Sequence, residues 1–208
     1  MESTPTVRSV AIVLFEGFEL LDVFGPVSLL ARLPEQYPIT YVAPRAGLIK
    51  SSQGAEIMAT VSLADAVTPD IVLVPGGLGT RALANDRTFL ELLARWAGSA
   101  PLVTSVCTGS ALLAAAGLLD GYRATSNKMA FAWATSQGEQ VEWVARARWV
   151  HDRDRWTSSG VAAGIDMTAA LIADLSGAEV AATAARHIEI EIHTDADWDP
   201  FAELYGLG

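Results

Sequence analysis

Three short apolar runs constrain this chain most. They lie within 7–15 (VRSVAIVLF), 70–74 (DIVLV) and 102–106 (LVTSV). None alternates polar with apolar residues, so each predicts a strand buried on both faces. Helical patterns separate them. One runs over Asp22–Leu33 and stops near Pro34. A second starts at a cap, Asn85 or Asp86, and carries Leu90, Leu93 and Trp96 on one face. A third follows Cys107 to about Ala116. Strands alternating with helices predict an α/β domain, a parallel sheet sandwiched by helices on both faces.

The remaining pattern fills in around this frame. Ile39–Ala43 is a predicted strand, and LIKSSQGAEIMAT (48–60) reads as a hairpin. Lys128–Ser136 is expected to be helical. Glu142–Ser158 alternates around HDRD (151–154) and predicts a small β-hairpin. Val161–Leu175 and Ala178–His193 predict two closing helices. The tail, 194–208, is acidic and aromatic and lacks helical periodicity. No repeat or linker interrupts the chain, so residues 1–208 are expected to form a single domain.

Composition excludes several function classes. The formal charge of −10, with no basic cluster, argues against nucleic acid as a partner. No window is long and apolar enough to span a membrane. Three scattered histidines and one cysteine make no zinc-type ligand set, and no cofactor or metal is expected. One cysteine cannot form an internal disulfide, and the N-terminus lacks the layout of a secretion signal. A cytoplasmic location follows as the expectation.

In parallel sheets, ligands bind beyond the carboxyl ends of the strands. Three loops end strands there: FEGFELLD (15–22), PGGLGTR (75–81) and CTGS (107–110). In S-V-C-T-G a strand runs into a helix through a tight turn with small flanks, Ser105 and Gly109. That is the layout of a nucleophile elbow presenting Cys107. The new helix points its free N–H groups at the sulfur and favours the thiolate. A lone cysteine without such a context would be ordinary core material.

Asp22 lies among Leu20, Leu21, Val23 and Phe24. Desolvation there raises a carboxyl pKa, which suits a general acid beside Cys107. A helix N-cap is the other reading, and one residue can hold both roles. Glu16 and Glu19 compete for the acid role from the polar end of the loop. Backbone N–H groups of Thr108 and of Gly76 or Gly77 are candidates for an anion hole. Asn127, Met129 and Trp133 are candidate pocket residues, with Phe24 and Trp156 as further walls. Arg81 could hold an anionic substrate, although a solvated loop role is the more ordinary one. His151, His187 and His193 suit surface or packing roles.

LLDVFGP (20–26), DIVLVPGG (70–77), VCTGSALLAAAGLLDGYRAT (106–125) and SSGVAAGIDM (158–167) together resemble the DJ-1/PfpI superfamily from about Val7 to Ile188. Within it, the chain is most similar to isocyanide hydratases and to the amidase-like domains of AraC-type regulators. The resemblance implies a flavodoxin-like fold, a homodimer, a nucleophile at Cys107, an acid at Asp22 and a positioning role for Thr108. Two departures matter. Protease-like members carry His directly after the cysteine, where this chain has Thr108, which cannot act as a base. Many hydratase-like members carry His where this chain has Asn127. The function expected is Cys-dependent hydration or hydrolysis of a small electrophile, most similar to isocyanide hydration. The rivals are a glyoxalase-type activity on α-oxoaldehydes and a thiol or ligand sensor.

Overall fold

A computed structural model describes residues 6–207. Strand β1 (Val10–Val13) is followed by helix α1 (Leu20–Leu30), β2 (Ile39–Ala43), the pair β3 (Gly47–Lys50) and β4 (Glu56–Ala59), and β5 (Val61–Ser62). Next come β6 (Ile71–Val74), α2 (Thr80–Leu83), α3 (Arg87–Ala97), β7 (Leu102–Ser105) and α4 (Gly109–Ala115). Then follow β8 (Arg123–Ala124), α5 (Phe131–Thr135), β9 (Glu142–Trp143), β10 (Trp149–Asp152) and β11 (Arg155–Ser158). Helices α6 (Ala163–Ser176), α7 (Ala178–His187) and α8 (Pro200–Leu204) close the chain.

Among the described residues, seven strands form the central sheet in the order β10-β11-β7-β6-β1-β2-β5. All neighbours are parallel except β10 against β11. The central strands β1 and β6 are buried at every position, as their unbroken apolar sequences require. One helical layer groups α1, α6 and α7, and another groups α2, α3, α4 and α5. This is the flavodoxin-like α/β sandwich. The side chain of Asp86 caps α3 by accepting from Phe89 N at 3.1 Å, and Phe89, Leu93 and Trp96 on that helix are buried.

The structure corrects four sequence expectations. The segment 142–158 is not one hairpin: β9 leaves to pair with β8 in a separate two-stranded sheet. The remaining hairpin, β10–β11, joins the main sheet through β7 rather than standing alone. Helix α5 starts at Phe131, not Lys128. Asn127 Oδ1 accepts from Ala130 N at 2.9 Å, and Lys128 Nζ turns inward to Thr125 Oγ1 at 2.8 Å, so these residues form a turn. Helix α7 ends at His187, and Glu189 then takes a left-handed φ of 53°, which leaves His193 outside any helix. The tail does hold a helical turn, α8, started by Pro200 and capped by Asp199, which accepts from Phe201 N at 2.9 Å. Among the described residues, no helix is long and apolar enough to cross a membrane.

Candidate active site

Cys107 stands at the carboxyl end of β7, where the sheet hands over to α4. Its φ is 59°, a left-handed value that costs a non-glycine residue free energy. The surroundings hold it there. Its N–H is shared between the carbonyls of Ser158 and Ser159, and its own carbonyl accepts from the hydroxyls of Ser110 and Ser126, each at 3.1 Å. The next residue but one is glycine because nothing else fits: a Cβ on Gly109 would meet the Val74 carbonyl. The elbow expected from S-V-C-T-G is therefore present in its geometry.

Four groups surround the sulfur. The backbone N–H groups of Thr108 and Val161 and the Thr108 hydroxyl all bear on Sγ and pull its pKa down. That hydroxyl can spare its proton because its oxygen accepts from Gly77 N at 3.2 Å. The fourth group is the carboxyl of Asp22. Helix dipole and donors favour a thiolate, yet burial outweighs them. Cys107 is only 7% exposed, and desolvation, with the Asp22 charge second, pushes its pKa above the ordinary thiol value. The expectation from the helix N-terminus alone named the smaller effect.

Asp22 is fully buried. It sits in the first turn of α1 but does not cap it. The cap position is Glu19, whose side chain makes no capping bond. Asp22 instead reaches across to the PGG loop, where Oδ2 accepts from Gly76 N at 2.8 Å. Its Oδ1 has no well-formed hydrogen-bond partner among the described residues. Burial pushes the carboxyl pKa up to about 7 against the pull of the Gly76 N–H, and the Glu19 charge adds to the rise. The nearby Cys107 thiol pulls the other way. Two buried acids side by side cannot both ionise at neutral pH, so the pair titrates as a unit. Of the competing acids, Glu16 is exposed, and Glu19 Oε2 accepts from Gln53 Nε2 at 2.6 Å.

The glycines of the PGG loop have a different task from the one expected. Gly76 N–H is committed to Asp22 and Gly77 N–H to Thr108. They orient the acid and the threonine and do not stand open as an anion hole. Close approach explains the residue type: a Cβ on Gly76 would come within 2.6 Å of Thr108 N and 2.9 Å of Asp22 Oδ2. The second backbone N–H bearing on the sulfur is instead that of Val161. Sequence reasoning missed it. Its signal is a β-branched residue at φ 29°, held between β11 and α6, which no local pattern announces.

The candidate pocket residues divide. Trp133 is half-buried, and the Arg81 guanidinium lies 3.4 Å from its ring centroid. Asn127 packs its amide against Gly160, next to Val161, and braces the turn before α5. Met129 is 72% exposed. Phe24 packs on Tyr41. Trp156 is not a wall of this crevice: it stacks under His151 and lines a separate cavity of about 510 Å³ between the hairpin, α6 and α7. His187 ends α7, and His193 lies at that same cavity, so no histidine is placed at the thiol among the described residues. Nor do the described residues gather three or more His, Cys, Asp or Glu side chains into a set able to hold a metal.

The class is that of doubly wound α/β domains with a cysteine at a strained strand-to-helix turn and a buried carboxyl beside it. Sequence comparison makes the assignment: a profile of the DJ-1/PfpI family matches residues 8–174, and the chain belongs to that family. It is 34% identical over 172 residues to isonitrile hydratase of Pseudomonas putida, covering 83% of this chain and 74% of that one. It is 32% identical over 179 residues to an HTH-type transcriptional regulator of Pseudomonas aeruginosa, covering 80% of this chain and 48% of the regulator. Among solved structures, a ThiJ/PfpI family protein from Pseudomonas syringae superposes with a TM-score of 0.79 at 31% identity, covering 91% of this chain and 77% of that one.

Proposed function

We propose that the protein hydrates small isocyanides to N-substituted formamides through a covalent intermediate on Cys107. The observation that carries this reading is the buried Asp22 carboxyl, pushed up to about 7 beside the Cys107 thiol. Similarity to an isonitrile hydratase supports it. Asp22 and Cys107 share one proton. As the sulfur attacks the terminal isocyanide carbon, that proton rests on Asp22 and then passes to the carbon, giving a thioimidate. Water adds across the C=N bond. The tetrahedral adduct collapses, the C–S bond breaks and the formamide leaves with the thiol pair restored. Thr108 steadies the sulfur and the incoming water. The N–H groups of Thr108 and Val161 stabilise negative charge on sulfur as it departs.

This chemistry needs a proton held at the right atom but no strong base, which fits a crevice without histidine. A glyoxalase reaction on α-oxoaldehydes, which moves a proton between two carbons, is the second reading, and Asp22 is the group that would carry that proton. We infer a homodimer on the grounds given by the family resemblance. Incubation with a simple alkyl isocyanide and detection of the formamide by mass spectrometry tests the reading. Product is expected from the wild type and none from Cys107→Ala. Turnover by the alanine variant would end the covalent proposal. Light scattering should find a species near twice 22.0 kDa.

A further inference from the structure

Arg81 is a cation beside the elbow that the proposed mechanism leaves unused. It follows Thr80, whose hydroxyl donates to the Gly77 carbonyl at 2.7 Å and lies 3.2 Å from Thr108 Oγ1. Those contacts fix the start of α2 against the elbow. From there the guanidinium of the exposed Arg81 lies on the face of Trp133. Partial desolvation lowers its pKa.

Among the described residues, six other arginines meet a carboxylate within ion-pair distance: Arg123, Arg146, Arg148, Arg153, Arg155 and Arg186. Arg81 meets none there, as is true also of Arg8, Arg32, Arg45, Arg87 and Arg95, but Arg81 is the one of these stacked on an aromatic ring beside the elbow. The chain carries a net charge of −10, so acidic partners are plentiful elsewhere. Stacking uses the π-surface of the guanidinium and leaves its in-plane N–H fork free. A planar fork held by an indole, unpaired and next in the chain to the Thr80 that touches Thr108, matches a carboxylate.

We propose that Arg81, steadied on Trp133, is a specificity residue that binds a carboxylate on the substrate, so that the preferred substrates are small isocyano acids. The substrate class rests on the hydratase reading, whereas the anion subsite itself does not.

The test separates the two. Cys107 is alkylated with iodoacetate and with iodoacetamide, reagents that differ in charge. In either case the sulfur displaces iodide, an S–C bond replaces the C–I bond, and the thiol proton leaves to Asp22 or solvent. Any change in thiol reactivity cancels in the ratio of the two rates. Arg81→Gln is expected to lower the iodoacetate-to-iodoacetamide ratio roughly tenfold, and Arg81→Lys to lower it less. In a second arm, isocyanoacetate and ethyl isocyanoacetate are compared as substrates. The wild type is expected to prefer the acid, and Arg81→Gln to lose that preference through KM. An unchanged alkylation ratio overturns the subsite even if both isocyanides turn over. A changed ratio with no turnover of either isocyanide keeps the subsite and overturns the hydratase reading. Failure of both reagents to label Cys107 overturns both.

Discussion

Two buried aspartates occupy the first turn of a helix in this protein, and their surroundings could hardly differ more. Asp166, at the start of α6, has both oxygens answered. Its Oδ2 accepts from both Nε and Nη2 of Arg148, and its Oδ1 accepts from His193 N at 2.9 Å. Asp22, at the start of α1, has one backbone N–H, no ion-pair partner among the described residues and an oxygen left over. The first ties α6, the hairpin and the C-terminal segment together. The second holds a proton beside a thiol. Burial alone therefore does not mark a functional carboxylate. Burial with incomplete compensation does, because the uncompensated part appears as a raised pKa available to chemistry.

The largest expected effect separates the two roles directly. Asp22→Asn keeps an acceptor for Gly76 N–H but has no proton to pass. Isocyanide turnover should fall by about 10²–10⁴-fold, the usual range for losing an acid–base group. Wild-type-like turnover in that variant would remove Asp22 from the mechanism. Asp166→Asn should instead unfold more readily, by about 3–5 kcal/mol in denaturant, because Arg148 is left buried without its partner. A loss below about 1 kcal/mol would mean that water reaches the pair.

A third test uses pH. The folded-state pKa of Asp22 is raised, so the folded protein holds this proton more tightly than the unfolded chain does. Its contribution is therefore lost as pH rises from the ordinary carboxylate range through about 7. Asp22→Asn has no such loss. By pH 8 it should be more stable than wild type by roughly 2–4 kcal/mol, since each tenfold change in proton affinity is worth about 1.4 kcal/mol. Equal wild-type stability at pH 5 and pH 8 would show that the carboxyl is solvated after all. In the same window, wild-type kcat/KM should fall as pH drops below about 7, where the pair takes up a second proton. The smallest effect belongs to an exposed pair of the same chemistry. Arg186→Ala, which removes the contact to the exposed Glu179, should leave the denaturation midpoint within experimental error of wild type. A larger change would undermine the contrast between buried and exposed carboxylates.

The features that could be read from sequence share a physical character. The strands β1, β6 and β7 were legible because burial on both faces leaves an unbroken apolar run. Cys107 was legible because a tight strand-to-helix turn demands small flanking residues. Asp22 was legible as a desolvated carboxyl because its neighbours in sequence are apolar. What escaped depended on partners distant in the chain. Asp22 reads equally well as a cap until Gly76, 54 residues away, is seen to take its oxygen. Trp156 reads as a pocket wall until the hairpin carries it to the far cavity. Lys128 looks like a solvated helix start, yet it is buried and bonded to Ala147 O and Thr125.

By itself, then, the sequence determined the layered α/β fold, the elbow and the identity of the thiol. Periodicity, turn sterics and local desolvation act over a few residues and leave their mark on composition. Only the tertiary structure decided which groups face the sulfur, that the PGG amides serve Asp22 and Thr108, that Val161 comes to the thiol from a strained turn, and that Arg81 lies on Trp133. Those outcomes depend on distances between segments far apart in the chain. Hydrogen bonds and charge interactions change sharply over an ångström or two, a scale that packing sets and residue order does not encode locally.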